Sequence, residues 1–138
     1  MSNLNAYLIF NGNCAEAFRF YERALGGKIG MMMPFSSAPT PQQVPPAHAD
    51  KIMHASMTID GNTLMGSDGA PGQPYEGMKG FSLSLNYPNV ARAEAAFKAL
   101  AQGGTIGMPL QETFWAAAFG MLTDQFGTPW MINCEKPA

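Results

Sequence analysis

Apolar residues recur at three- and four-residue steps in two places along the chain, and each place reads as the buried stripe of an amphipathic helix. In the first, Cys14, Ala17, Phe18, Tyr21 and Leu25 share a face, with Asn13 and Glu16 spaced as an N-cap and its reciprocal partner and Gly26 as the stop. In the second, Val90, Ala93, Phe97 and Leu100 form the stripe, Asn89 is the cap and Gly103 the stop. A short alternating run precedes each helix. In "NAYLIFN" and the residue before it, Leu4, Ala6, Leu8 and Phe10 lie opposite Tyr7 and Ile9; in "FSLSLN", Phe81, Leu83 and Leu85 lie opposite Ser82, Ser84 and Asn86. Alternation of this kind makes strands with one face for the helix and a second, more polar face turned elsewhere.

Three further strands follow each helix. The pattern places them at 28–34, 52–60 and 62–68 in the first half, and at 105–111, 117–124 and 128–134 in the second. Asp60, Gly61 and Asn62 form a tight turn in one half, and "DQFG" is its counterpart in the other. The segment "GGKIGM" at 26–31 returns as "GGTIGM" at 103–108, so the chain is an internal repeat of two β-α-β-β-β modules. The predicted fold is α+β, a single domain over 1–138 with modules at about 1–70 and 78–138. Gly and Pro cluster at the break, in "APGQPYEGMKG". Residues 34–50 contain five prolines, which forbid a central strand and favour an extended loop, either a tolerated insertion or a lid over a site.

With 138 residues the chain suffices for one domain burying roughly two-thirds of its unfolded surface, without disulfide or structural metal. Ten acidic residues against eight basic ones, with no Lys or Arg run, exclude a nucleic-acid partner. The start "MSNLNAYLIF" lacks a signal peptide's basic region, and no apolar run approaches the ~20 residues that span a bilayer, so the expected location is cytoplasmic and no membrane partner is expected. Cys14 and Cys134 fall in apolar-patterned segments and are expected to be reduced and buried. Eleven methionines are many for this length, and the plain reading is adaptable core filling.

Two such modules, together with "FNGNCAEAFRFYERALGG", "DGNTLMGSD" and "QETFWAAAFGMLTDQFGTPWMIN", resemble the vicinal oxygen chelate superfamily of glyoxalase I, extradiol dioxygenases and fosfomycin- and bleomycin-resistance proteins. The resemblance covers nearly the whole chain and is nearest to the PhnB-like branch. That branch often carries a demethylubiquinone methyltransferase label, but the glycine-rich strand-to-helix turn that would hold adenosylmethionine is missing. The resemblance implies a curved mixed sheet around a cleft with the helices on its outer face, and a homodimer. It also implies a divalent ion held by His, Glu or Gln, but the corresponding positions fall at or beside Tyr7, Met65, Ser82 and Met131. None is a good ligand for Mg, Mn, Ni or Zn. The expectation is no metal site and no cofactor.

Within the implied cleft, Tyr7, Ser56, Ser82 and Met131 are expected to line the wall, and Phe114 and Trp115 to offer flat apolar surface to a ligand. His54, on the polar face of a strand, is a hydrogen-bonding or acid–base candidate, while His48 is expected to be solvated in the proline-rich loop. Glu112 precedes "TFW", where the resemblance puts a strand bordering the cleft. Aromatic neighbours there would limit its hydration; the alternative is an edge glutamate in water. Asp124 and Gly127 shape a turn, Asp68 does the same, and Trp130 enters the core. Three function classes remain. They are a metal-free small-molecule binding protein, a glyoxalase-like isomerase or lyase using Glu112 or His54 without a metal, and an interaction module.

Overall fold

Each half of the chain builds its own small sheet around one helix. The computed structural model describes residues 3–39 and 44–137 and divides the chain into two compact units, one running to Gly77 and the other beginning at Met78. The first contains β1 (Ala6–Phe10), α1 (Cys14–Leu25), β2 (Lys28–Pro34), β3 (Ile52–Ile59) and β4 (Asn62–Asp68). The second contains β5 (Leu83–Tyr87), α2 (Val90–Ala101), β6 (Thr105–Gln111), β7 (Ala116–Thr123) and β8 (Pro129–Glu135). Strand orders are β1-β4-β3-β2 and β5-β8-β7-β6, with one parallel pair in each four-stranded sheet, β1 with β4 and β5 with β8. The α+β class and the repeated β-α-β-β-β order are therefore as the sequence pattern has them.

Alternation decides which face meets the helix. In the first unit Leu8, Phe10, Met57 and Leu64 are buried with Phe18 and Tyr21 of α1, and Phe10 meets Phe18 edge to face at 6.2 Å. In the second, Leu122, Trp130 and Ile132 are buried with Phe97 and Leu100 of α2. Gly120 is a point of close approach between β7 and α2. A Cβ at this position would stand 2.7 Å from Phe97 and 2.9 Å from the Leu110 Cα, so the strand passes only because the residue lacks a side chain. Both cysteines are buried and free.

The two helices start differently. Asn89 caps α2 as expected, its side chain accepting from the Arg92 amide at 2.9 Å. Asn13 makes no such bond, and its Oδ1 is buried without a partner. The first amide of α1 is instead held by Asp68 from the end of β4, with Oδ1 to Cys14 N at 2.9 Å and Oδ2 to Ile52 N at 2.8 Å. Asp68 is thus a buried tertiary cap rather than a turn residue. Asp124 is a turn residue and more: Oδ1 accepts from Phe126 N and Thr128 N, and Oδ2 from the buried Trp130 indole at 2.8 Å.

Two other expectations need correction. The second unit's first strand begins at Leu83, so Ser82 lies just before β5. His48 is half-buried rather than solvated, because its Nε2–H donates to Gly69 O at 2.9 Å and its ring packs on Phe35 at 4.8 Å. The proline-rich segment is pinned further by Phe35 N to Lys51 O and Ser36 N to Ala49 O; its residues 40–43 lie outside the described residues. No helix among the described residues is long and apolar enough to cross a membrane.

Candidate functional site

With helices on one face of each sheet, the other face carries the side chains free for chemistry. Cross-strand register orders them into rows. In the first unit, Met31 pairs with Ser56, Ser56 with Met65, and Met65 with Tyr7. In the adjoining row Met33 pairs with His54, and Ser67 pairs with Ile9. Across these rows the Tyr7 hydroxyl reaches His54 Nδ1 at 3.2 Å, with the two ring centroids 5.7 Å apart. A neutral imidazole accepting from tyrosine at Nδ1 carries its proton on Nε2; the opposite tautomer donates to the phenol oxygen and leaves Nε2 as an acceptor. Either way His54 is oriented by a neighbour. Among the described residues, the first charged side chain in the face's register is Lys28, paired with Thr58 at the edge.

The second unit repeats the arrangement with different side chains. Met108, Met121 and Met131 pair in sequence across β6, β7 and β8, and Met131 pairs with Ser84 on β5. Ser84, not Ser82, is therefore the positional counterpart of Tyr7. The sequence carried the signal in the shared strand-to-helix spacing, but the ragged start of "FSLSLN" obscured it. Next to this row, Phe119 pairs with Asn133, and Asn133 Nδ2 donates to Asn86 Oδ1 at 3.0 Å.

The aromatic segment "TFW" is a turn, not a strand. Thr113 N donates to Ala116 O, and Ala116 N donates back to Thr113 Oγ1, both at 3.0 Å, closing a loop with Phe114 and Trp115 at its tip. Phe114 is 89 % exposed and Trp115 50 %. Trp115 lies edge to face between Phe114 at 4.8 Å and Phe119 at 5.4 Å, which ties the turn to the open face of the sheet. Glu112 lies outside this stack: its side chain is 75 % exposed, with Lys136 Nζ at 3.9 Å, so the aromatic enclosure expected around it is not formed within this unit.

Sequence reading missed Tyr75, which lay in the Gly- and Pro-rich break. Its hydroxyl donates to Ile9 O at 3.1 Å, and it borders a depression of about 380 Å³ beside Gly69 and Glu76. Partial burial raises its pKa above the ordinary tyrosine value. Burial, with a smaller push from Asp68, lifts the Cys14 thiol to about 12, so it is no nucleophile at neutral pH.

The donors at the implied metal positions do not suit a hard divalent ion. Tyr7, Met65, Ser84 and Met131 offer a phenol, two thioethers and a hydroxyl where such ions take carboxylate, imidazole or carbonyl. Among the described residues no three His, Cys, Asp or Glu converge.

Residues 3–132 match the sequence model of the Glyoxalase/Bleomycin resistance protein/Dioxygenase superfamily. The chain is 38 % identical to protein YjdN of Escherichia coli (strain K12) over 96 % of its own length and 95 % of that protein's. It is also similar to the crystal structure of protein PA1353 from Pseudomonas aeruginosa, at 51 % identity and a TM-score of 0.91, covering 99 % of this chain and 100 % of that one. The fold alone is shared with a Bacillus cereus PhnB protein described as a putative 3-demethylubiquinone-9 3-methyltransferase, at 24 % identity and a TM-score of 0.81, covering 96 % of this chain and 99 % of that one.

Proposed function

The chain belongs to the Glyoxalase/Bleomycin resistance protein/Dioxygenase superfamily, and we propose that within it the protein binds a small, largely apolar organic molecule on its open sheet faces, without a divalent metal. The observation that carries this reading is the Tyr7–His54 pair, an oriented polar contact at 3.2 Å set among Met31, Met33 and Met65, whose described cross-strand partners are uncharged as far as Lys28 at the sheet edge. A site of this make-up selects by shape and by one or two hydrogen bonds, and it disfavours phosphorylated or multiply charged ligands. Ser56 lies in the row of Met65 and Tyr7 on the first unit's open face, and the second unit by itself offers Met131 on its open face and exposed aromatic area from Phe114 and Trp115 at the turn before β7. The reading includes a cytoplasmic homodimer, for which a monomer mass by light scattering across the micromolar range would be decisive against.

A second reading is supported by the same pair. An imidazole oriented by a phenol can pass a proton between neighbouring substrate atoms, so isomerase or lyase chemistry falls to His54 rather than to the solvent-exposed Glu112. The two readings separate experimentally. A thermal-shift screen of neutral organic molecules, followed by calorimetry, should yield a ligand whose affinity falls in Tyr7→Phe and His54→Gln. Affinity unaffected by both substitutions and by Trp115→Ala rejects the site. Conversion of the bound compound, lost in His54→Gln, selects the enzyme.

A further inference from the structure

We propose that the open face of the second unit carries a soft-metal site, formed by Met108, Met121 and Met131 and suited to monovalent copper, Cu(I). Met108 on β6 is paired directly with Met121 on β7, and Met121 directly with Met131 on β8. Residues so opposed lie on the same face with Cα atoms about 4.5–5.5 Å apart, so three thioethers stand side by side across three strands. Their face is the one turned away from α2, because the alternate positions Gly120, Leu122, Trp130 and Ile132 are the buried ones.

All three methionines are half-buried, shielded from bulk water yet reachable. Each has three side-chain torsions, enough for the outer pair to lean toward the central sulfur without moving the backbone. Thioether sulfur is a neutral, soft donor that favours Cu(I) over the hard divalent ions. The surroundings are consistent with that choice. The row ends at Ser84, and the next row holds Phe119 and Asn133, so its immediate register partners bring no carboxylate to attract a hard cation. Asn133 keeps a buried Oδ1 without a partner beside the row. The corresponding row of the first unit, Met31, Ser56, Met65 and Tyr7, has only two thioethers, which assigns the site to the second unit. Core-filling methionines would be expected against the helix, whereas these three share one row on the opposite face.

The inference does not depend on the small-molecule reading, which survives its failure. The test is an anaerobic titration of the full chain with Cu(I) supplied as its coloured bicinchoninate complex, together with Ag(I) as a redox-inert probe, on protein labelled at the methionine methyl groups. One equivalent per chain should be withdrawn from the chelator, and the methyl resonances of Met108, Met121 and Met131 should shift together. Met121→Leu and Met131→Leu conserve volume and should each weaken binding at least about tenfold, while Met31→Leu leaves it unchanged. Cys14 and Cys134 are also soft donors, though buried. Uptake that persists undiminished in both leucine variants, or that leaves the three methyl resonances unmoved, overturns the proposal.

Discussion

Asp68 at the end of β4 holds the first amide of α1, its Oδ1 lying 2.9 Å from Cys14 N, although the two residues are 54 positions apart in the chain. The other oxygen takes Ile52 N at 2.8 Å, so one buried carboxylate joins the start of the helix, the start of β3 and the end of β4. Asp68→Ala leaves two buried amides without an acceptor, at about 1–3 kcal/mol each. Urea unfolding should show a loss of roughly 2–6 kcal/mol, with Asp68→Asn milder because one acceptor is kept. A change within error for the alanine variant would mean that water replaces the carboxylate.

Cys14 gives this neighbourhood a pH dependence. Its thiol is raised from an ordinary value of 9.0 to about 12 by burial and then by Asp68, so the folded state retains a proton that the unfolded chain loses. The stabilisation is fully present below pH 9 and is lost as pH climbs through the folded value. Wild-type protein should therefore lose stability between pH 9 and 12 more steeply than Cys14→Ala, as melting temperatures across that range will show. Parallel curves would refute the assignment.

The repeat was legible because helix and strand periods are local. Both helices, the order of the strands and most of the two apolar stripes follow from side-chain spacing, although Val90 at the start of the second stripe is exposed. What was illegible is tertiary. Asn13 has the right residue type and spacing for a cap, but Asp68 arrives from another strand and takes its place. Register irregularities between Ile29 and Met31, and between Ile106 and Met108, break simple alternation, so the two methionine rows emerge only once the strands are paired. His54 was identified as a candidate from its strand face, while its partner Tyr7, 47 residues away, was placed nearby only as cleft wall. The exposure of Glu112 follows from the Thr113–Ala116 turn, which depends on a hydroxyl bond that neither periodicity nor composition encodes.

Gly120 is where β7 has no room for a side chain. Gly120→Ala should cost about 1–3 kcal/mol, since the added carbon meets Phe97 and the backbone of Leu110 together. Gly107→Ala is the internal control. Its Cβ would meet nothing closer than Met121 O at 3.7 Å, and stability should stay within about 0.5 kcal/mol of wild type. Equal effects in denaturant melts would reject the close-packing account.

The aromatic turn separates binding from folding. Trp115→Ala removes half-exposed surface and should leave the unfolding midpoint nearly unchanged while costing about 1–3 kcal/mol of ligand binding if the ring is an anchor. Glu112→Gln breaks only the exposed contact with Lys136, so its effect on stability should stay below about 1 kcal/mol. Calorimetry with a ligand from the thermal-shift screen decides whether the turn belongs to the site. Unchanged affinity in both variants would reduce it to a surface feature of the hairpin.

The last expectation concerns the divalent ions that the family resemblance implies. Holding one needs three or four hard or borderline donors converging on a point, and the row that runs through Tyr7 and Met65, with its counterpart through Ser84 and Met131, presents a phenol, a hydroxyl and thioethers. His54 adds one imidazole, already in contact with Tyr7, and a single borderline donor does not make a chelate. Protein purified without chelator should therefore carry no stoichiometric Ni, Mn, Zn or Mg by elemental analysis, and calorimetric titration with each should show no one-to-one site tighter than about 1 μM. Retention of one ion per chain, lost in His54→Gln or Glu112→Gln, would show that donors from elsewhere complete the set and would put the enzymatic reading ahead of the binding one.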